Sequence, residues 1–167
     1  YFMQKMYHLL CERRKTENMP EGIYFYTSRK AAVMTCINNE AYINMLIDIS
    51  SGMTPKKLMK ERFGLTPAQI LPFDPQKYDI IHKYVWAHAE AIFKRSEEAK
   101  QNYFKYMGSI PLKIGAKYAF MDFVSSGTSQ KSLDKICPFE ICGIYAGWNS
   151  SERKEDFHVE ALYSDTD

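Results

Sequence analysis

The stretch Tyr118-Ala119-Phe120-Met121-Asp122-Phe123-Val124-Ser125-Ser126-Gly127-Thr128-Ser129-Gln130 constrains the fold more than any other part of the chain. An apolar run carries one carboxylate near its end, then gives way to small hydroxyl residues around a glycine. The segment that follows, Gln130 to Ile136, reads as helix. Strand, small-residue turn and helix in that order is how α/β proteins present backbone N–H groups to an anion. The first turn of a helix has unpaired donors, and its dipole favours negative charge there. The turn is therefore the leading candidate for a binding site, with a small phosphorylated molecule as its ligand.

At 167 residues the chain has the size of one ordinary domain with a substantial core. Its 22 Lys+Arg against 20 Asp+Glu give a net charge of +2, which offers no electrostatic footprint for nucleic acid or an acidic membrane surface. No apolar run approaches the roughly 18 residues of a membrane span, and no signal peptide is visible. Cys11, Cys36, Cys137 and Cys142 form no Cys-x-x-Cys, and no histidine stands at zinc-finger spacing, so buried reduced thiols in a cytoplasmic protein are expected. The chain opens at Tyr1 already inside a helical pattern and without a capping residue, as expected of a piece of a longer protein.

Taken in order, Phe2, Met6, Leu9, Leu10 and Arg13 fit one face of an amphipathic helix. Ile23 to Thr27, short, aromatic and β-branched, predicts a buried strand ending in Ser28-Arg29-Lys30, a second strand edge with a hydroxyl and two cations. Residues 38–108 predict helices only. Asn38 or Asn39 can cap the first of them, and Thr54-Pro55, Thr66-Pro67 and Asp74-Pro75 each place a cap residue before a proline. Tyr78, Ile81, Val85, Ala89 and Ile92 trace a long helix from Asp74, with a restart at Ser96 and a stop at Gly108. His82 and His88 are six apart, not the i, i+4 of a helical metal pair, so they read as ordinary helix histidines, and no metal site is expected. Glu140 to Trp148 predicts a further strand, and Phe157 to Tyr163 an edge strand within a polar tail, 149–167.

The pattern predicts a single α/β domain, 1–167, with a Rossmann-like three-layer core of mainly parallel strands and a large helical insertion at 38–108. Ligands of open α/β sheets bind at the carboxyl ends of the strands. Ser28-Arg29, Asp122 to Gln130 and Gly147-Trp148 are thus expected to cluster. Amides of Gly127, Thr128 and Ser129 with hydroxyls of Ser125, Ser126 and Ser129 would hold a phosphate, joined by Gln130, Ser28 and the planar fork of Arg29. Asp122 would meet a sugar hydroxyl or a magnesium ion carried in by the ligand; it is the one candidate catalytic group. Hydroxyl residues also favour helix starts whatever the function. No Gly-x-Ser-x-Gly occurs, and none of His8, His82, His88 and His158 is placed to serve a serine.

Asp122-Phe123-Val124-Ser125-Ser126-Gly127-Thr128-Ser129 resembles the phosphoribosyl-pyrophosphate loop of type I phosphoribosyltransferases, whose pattern is an apolar strand, two acids, an aliphatic residue, a spacer and Thr-Gly-x-Thr. Asp122, Val124, Ser126, Gly127 and Ser129 match; Phe123 stands where the family has its second acid, which holds the ribose diol. A second resemblance covers most of the chain, through Tyr24 to Ala32, Met59 to Leu65, Asn102 to Met107 and Phe120 to Leu133. It is to a domain attached to predicted haloacid-dehalogenase-like hydrolases and glycosyltransferases encoded with bacterial surface-polysaccharide genes. That resemblance implies a cytoplasmic bacterial protein of sugar-phosphate or nucleotide-sugar metabolism, with the hydrolase or glycosyltransferase domain upstream. The Asp-x-Asp-x-Thr signature of that hydrolase chemistry does not occur here. Two functions follow as expectations: a phosphorylated-ligand-binding domain, with transferase chemistry left open, or a non-catalytic scaffold that docks a hydrolase or glycosyltransferase domain.

Overall fold

A computed structural model describes residues 2–14, 19–149 and 158–164. It divides into two compact units, 1–28 with 111–167 and 29–110.

The unit at 29–110 is helical: α2 (Arg29–Met34), α3 (Glu40–Asp48), α4 (Pro55–Glu61), a single 3-10 turn (Pro67–Gln69), α5 (Ile81–Trp86) and α6 (Ala89–Gly108). Its starts follow the cap chemistry. Asn39 Oδ1 accepts from the Tyr42 N–H at 2.9 Å, and Thr54 Oγ1 accepts from that of Lys57 at 3.4 Å with Pro55 in the first helical position. Thr66 and Gln69 form their capping box but open only one turn of 3-10 helix. Ile43, Leu46, Leu58, Met59, Phe63, Val85 and Ile92 converge in one apolar core.

The long helix expected from Asp74 does not form. Asp74 makes a local turn, accepting from Gln76 N–H through Oδ1 and from Tyr78 N–H through its carbonyl, and the helical run then breaks at Ala87-His88 between α5 and α6. The reason is the buried His88 ring. Its Nε2 accepts from Leu71 N–H at 3.0 Å, so the proton sits on Nδ1 and is donated to the Tyr84 carbonyl at 2.8 Å. Tyr84 OH donates in turn to the Leu71 carbonyl at 2.6 Å. His88 is thus a structural clasp, and His82 pairs with Asp48 at 3.4 Å. Nor does the helix restart at Ser96, which lies buried within α6 and donates to the Met34 carbonyl at 2.7 Å, tying α6 to the end of α2.

The other unit holds α1 (Phe2–Arg14), β1 (Lys117–Ser125), α7 (Thr128–Asp134), β2 (Glu140–Trp148) and β3 (Val159–Ser164). The chain is therefore mixed α/β. All strands are parallel, in the order β1-β2-β3, and β1 and β2 run in register from Lys117↔Glu140 to Ser125↔Trp148. The strands are parallel as expected, and among the described residues the sheet is small, with three of them. One expectation is corrected. Ile23 to Thr27 is no strand: residues 19–28 have neither helix nor strand. Strand propensity is largely side-chain packing on a pleated surface, and here the aromatics pack without a ladder, Tyr24 edge-on to Tyr26 at 4.6 Å and Phe25 edge-on to Phe120 at 6.2 Å.

The polar tail keeps the expected edge strand as β3, aligned Gly143↔Val159 with β2; residues 150–157 and 165–167 of that tail lie outside the described residues. All four cysteines are free thiols, but only Cys36 is buried. No helix among the described residues is long and apolar enough to cross a membrane.

If His88 is the clasp of the helical unit, His88→Ala should lower stability by about 2–3 kcal/mol, from the emptied volume and the lost acceptor for Leu71 N–H. Urea denaturation followed by circular dichroism measures it; a loss near zero would show that the ring is not needed.

Candidate functional site

The carboxyl ends of β1 and β2 come together as expected. Val124 pairs with Gly147 and Ser125 with Trp148, and the Asn149 N–H donates to the Ser125 carbonyl at 2.9 Å. Beyond Ser125 the chain reverses through Gly127, whose φ of 76° is left-handed and strained for any other residue. Ser125 Oγ accepts from the Gly127 N–H at 3.1 Å, and the Ser126 and Thr128 hydroxyls lie 3.2 Å apart. α7 then starts, its first internal bond running from Lys131 N–H to the Gly127 carbonyl at 2.8 Å. The N–H groups of Thr128 and Ser129 find no acceptor among the described residues. Of the three amides expected to hold a phosphate, that of Gly127 is closed by its own loop.

Gln130 does something else. Its side chain is fully buried: Oε1 accepts from Tyr145 OH at 2.8 Å and Nε2 reaches the Ile141 carbonyl at 3.5 Å. The carboxamide lies over Gly143, where a Cβ would come within 2.4 Å of Oε1 and 2.5 Å of the Tyr145 ring. Gln130 therefore braces α7 against β2 and does not line the turn. Burial pushes the Tyr145 phenol up to about 12, with a side-chain hydrogen bond from Ser125 opposing and the charge of Asp122 assisting. The Tyr145 ring stacks on the buried Trp148, centroids 5.9 Å apart. Sequence reasoning missed the roles of Gln130, Gly143 and Tyr145. A glycine inside a strand was the available signal, since it marks close approach of another group.

Asp122 is exposed, and its Oδ1 accepts from the neighbouring Phe123 N–H at 2.8 Å. Phe123 is exposed too, stacked on Phe2 at 6.0 Å. Ser28 ends the irregular segment of this unit, whereas Arg29 is the first residue of α2 in the helical unit; both are exposed. No group of three or more His, Cys, Asp or Glu gathers among the described residues that could hold a metal ion.

The two faces of the sheet differ. Alternation and register put Phe120, Asp122, Ile141, Gly143, Tyr145, Val159 and Ala161 on one face, and α7 covers β2 there with Leu133 and Gln130. Met121, Phe123, Ile144 and Leu162 share the other face and are exposed. Lys117 and Glu140 pair at 2.9 Å at its margin, and Glu160 lies beside Ile144.

No family model, curated protein or solved structure matches the chain.

The Tyr145 environment fixes a pH dependence. The native phenol keeps its proton to about 12, whereas the unfolded one releases it near its ordinary value of 10.0. Unfolding therefore releases a proton in that window, so the contribution is complete below pH 10 and is lost as pH rises through 12. Tyr145→Phe should remove this fall, and at neutral pH should cost about 1–3 kcal/mol by leaving Gln130 Oε1 buried without its donor. Urea midpoints of both proteins across the window test it; equal slopes would show that Tyr145 titrates normally.

Proposed function

We propose that the chain is a non-catalytic interaction module, with the open face of the β1-β2-β3 sheet as the seat of its partner. One observation carries the proposal: Met121, Phe123, Ile144 and Leu162 stand side by side on that face, 36% to 79% exposed. Parallel sheets are covered on both faces. The covered face indicates the kind of cover this sheet takes, because there the layer is a helix presenting Leu133. The partner is accordingly an amphipathic helix of another domain, with an apolar stripe for the four residues and a cation for Glu160. The second resemblance implies a catalytic domain as its owner, a hydrolase or glycosyltransferase of bacterial sugar-phosphate metabolism in the cytoplasm.

The competing reading is a sugar-phosphate or nucleotide-sugar site at the β1–α7 turn. In its favour are the amides of Thr128 and Ser129, which find no acceptor among the described residues, and the Ser126 and Thr128 hydroxyls. Asp122 would then touch a sugar hydroxyl or a magnesium ion brought by the ligand. Against it, Gln130 and the Gly127 amide are engaged inside the unit.

Titration with a helical peptide bearing leucines on one face and lysines beside them should saturate. Phe123→Glu with Leu162→Glu should weaken binding at least about tenfold without lowering the melting temperature. Failure to saturate removes the docking proposal. A thermal-shift panel of sugar phosphates, nucleotide sugars and phosphoribosyl pyrophosphate with magnesium should stay flat. A specific rise that Gly127→Val abolishes, or turnover lost in Asp122→Asn, would instead establish the ligand reading.

A further inference from the structure

The open sheet face is not wholly bare. Phe2 of α1 lies over Phe123, ring centroids 6.0 Å apart and planes 23° from parallel, an offset stack. α1 and the sheet belong to the same unit, so the contact is internal to it. Phe123 is one of the four residues to which the proposed partner docks. Phe2 therefore stands in the partner's seat.

Register defines what the seat loses. Phe123 falls between the pairs Asp122↔Tyr145 and Val124↔Gly147, which sets it level with Ala146. Ala146 falls in turn between Tyr145↔Ala161 and Gly147↔Tyr163, level with Leu162. The neighbouring row of the same face is Met121, Ile144 and Glu160. The row through Ala146 thus reads large, small, large across the sheet. A docked helix can lower a side chain over Ala146, between Phe123 and Leu162. It needs the Phe123 ring as one wall of that place, and the ring already carries Phe2.

Phe2 can leave without loosening its own helix. α1 is fastened elsewhere, where Gln4 Nε2 donates to the Gly22 carbonyl at 3.2 Å and Tyr7 OH donates to the Pro20 carbonyl. No residue of α1 is buried, and the rings of the stack belong to residues 63% and 47% exposed. Release of Phe2 uncovers no core and breaks neither of those bonds. A single aromatic stack shifts an equilibrium by no more than about tenfold, which a helix covering both rows overcomes.

We infer, resting on the docking reading of this face, that Phe2 is a built-in competitor of the docking helix. It lies on Phe123 while the face is empty and leaves when the partner arrives. The apparent affinity is then the intrinsic one reduced by the fraction of molecules whose Phe2 is already away. A ligand too small to cover the row does not offset the lost stack, so the competitor sets a threshold against casual apolar binding.

Titration with the leucine–lysine helical peptide, wild type beside Phe2→Ala, tests the competition. Phe2→Ala should tighten binding about fivefold, with circular dichroism and melting unchanged because the ring is exposed. Fluorine NMR of 4-fluorophenylalanine introduced at position 2 alone follows the ring directly. At peptide saturation its resonance should move toward the position it takes in Phe123→Ala without peptide. Equal affinities overturn the inference and leave docking standing. Weaker binding by Phe2→Ala also overturns it, and makes Phe2 part of the seat, as does a resonance unmoved at saturation. Saturation of neither protein removes the docking reading and the competitor with it, whereas saturation of Phe2→Ala alone upholds both.

Discussion

The sheet unit is organised around a missing side chain. Because Gly143 carries no Cβ, the carboxamide of Gln130 can lie against the middle of β2, where an alanine methyl would come within 2.4 Å of its oxygen. That close approach lets one helical side chain accept from Tyr145 and reach the Ile141 carbonyl, so α7 is held to β2 by direct bonds as well as by Leu133. A buried polar pair of this kind stabilises only while every member is satisfied. It selects one placement of helix on strand, because a slip of a single residue would separate donor from acceptor and bury both unpaired. The turn at Gly127 inherits its geometry from that placement. Its left-handed backbone, its amide closed by Ser125 Oγ and its paired hydroxyls connect a strand and a helix whose positions are already fixed.

How much of this was legible follows from how local each determinant is. β2 could be read residue for residue from Glu140 to Trp148, because a continuous apolar run between Pro138 and a polar tail leaves little choice of boundary. Cap chemistry placed the start of α3 at Asn38 or Asn39, of which Asn39 is the cap, and α4 at Thr54-Pro55, since the bonds that start a helix lie within three residues of each other. The same chemistry at Asp74-Pro75 misled, because an aspartate that can cap a helix can equally close an isolated turn. What decided between them was His88, at the far side of the intervening segment. Ile23 to Thr27 failed for a related reason: a strand is a pairing, and propensity states only a willingness to pair. At the candidate site the hydroxyl cluster was visible in sequence, but its partners were not. Gln130 was expected to face a ligand and instead fills the interior, a difference set by the absent Cβ thirteen residues later in the chain.

The two units differ in how completely they bury what they carry. The helical unit closes on its own core, with Ile43, Met59, Phe63, Val85 and Ile92 all inaccessible. In the sheet unit α7 covers β2 on one face, whereas Met121, Phe123, Ile144 and Leu162 on the other face are exposed. A few scattered apolar residues on a surface need no explanation, but four at neighbouring positions of one sheet face make a patch, which is why the proposed docking is set there.

This asymmetry shifts the weight of function from the turn to the surfaces. A phosphate site has to keep its donors outward and unsatisfied until the ligand arrives, and a rigid loop can do so only at some cost in stability. Here the loop closes the Gly127 amide on its own serine and Gln130 turns inward, which leaves only the Thr128 and Ser129 amides without an acceptor among the described residues. Exposed apolar rows carry the opposite cost: they do nothing for the isolated chain and invite indiscriminate association unless charges around them discriminate. Around the sheet face such charges are Lys117, Glu140 and Glu160. A patch bordered by charges of both signs is what the proposed docking module would need in order to choose one helix over others.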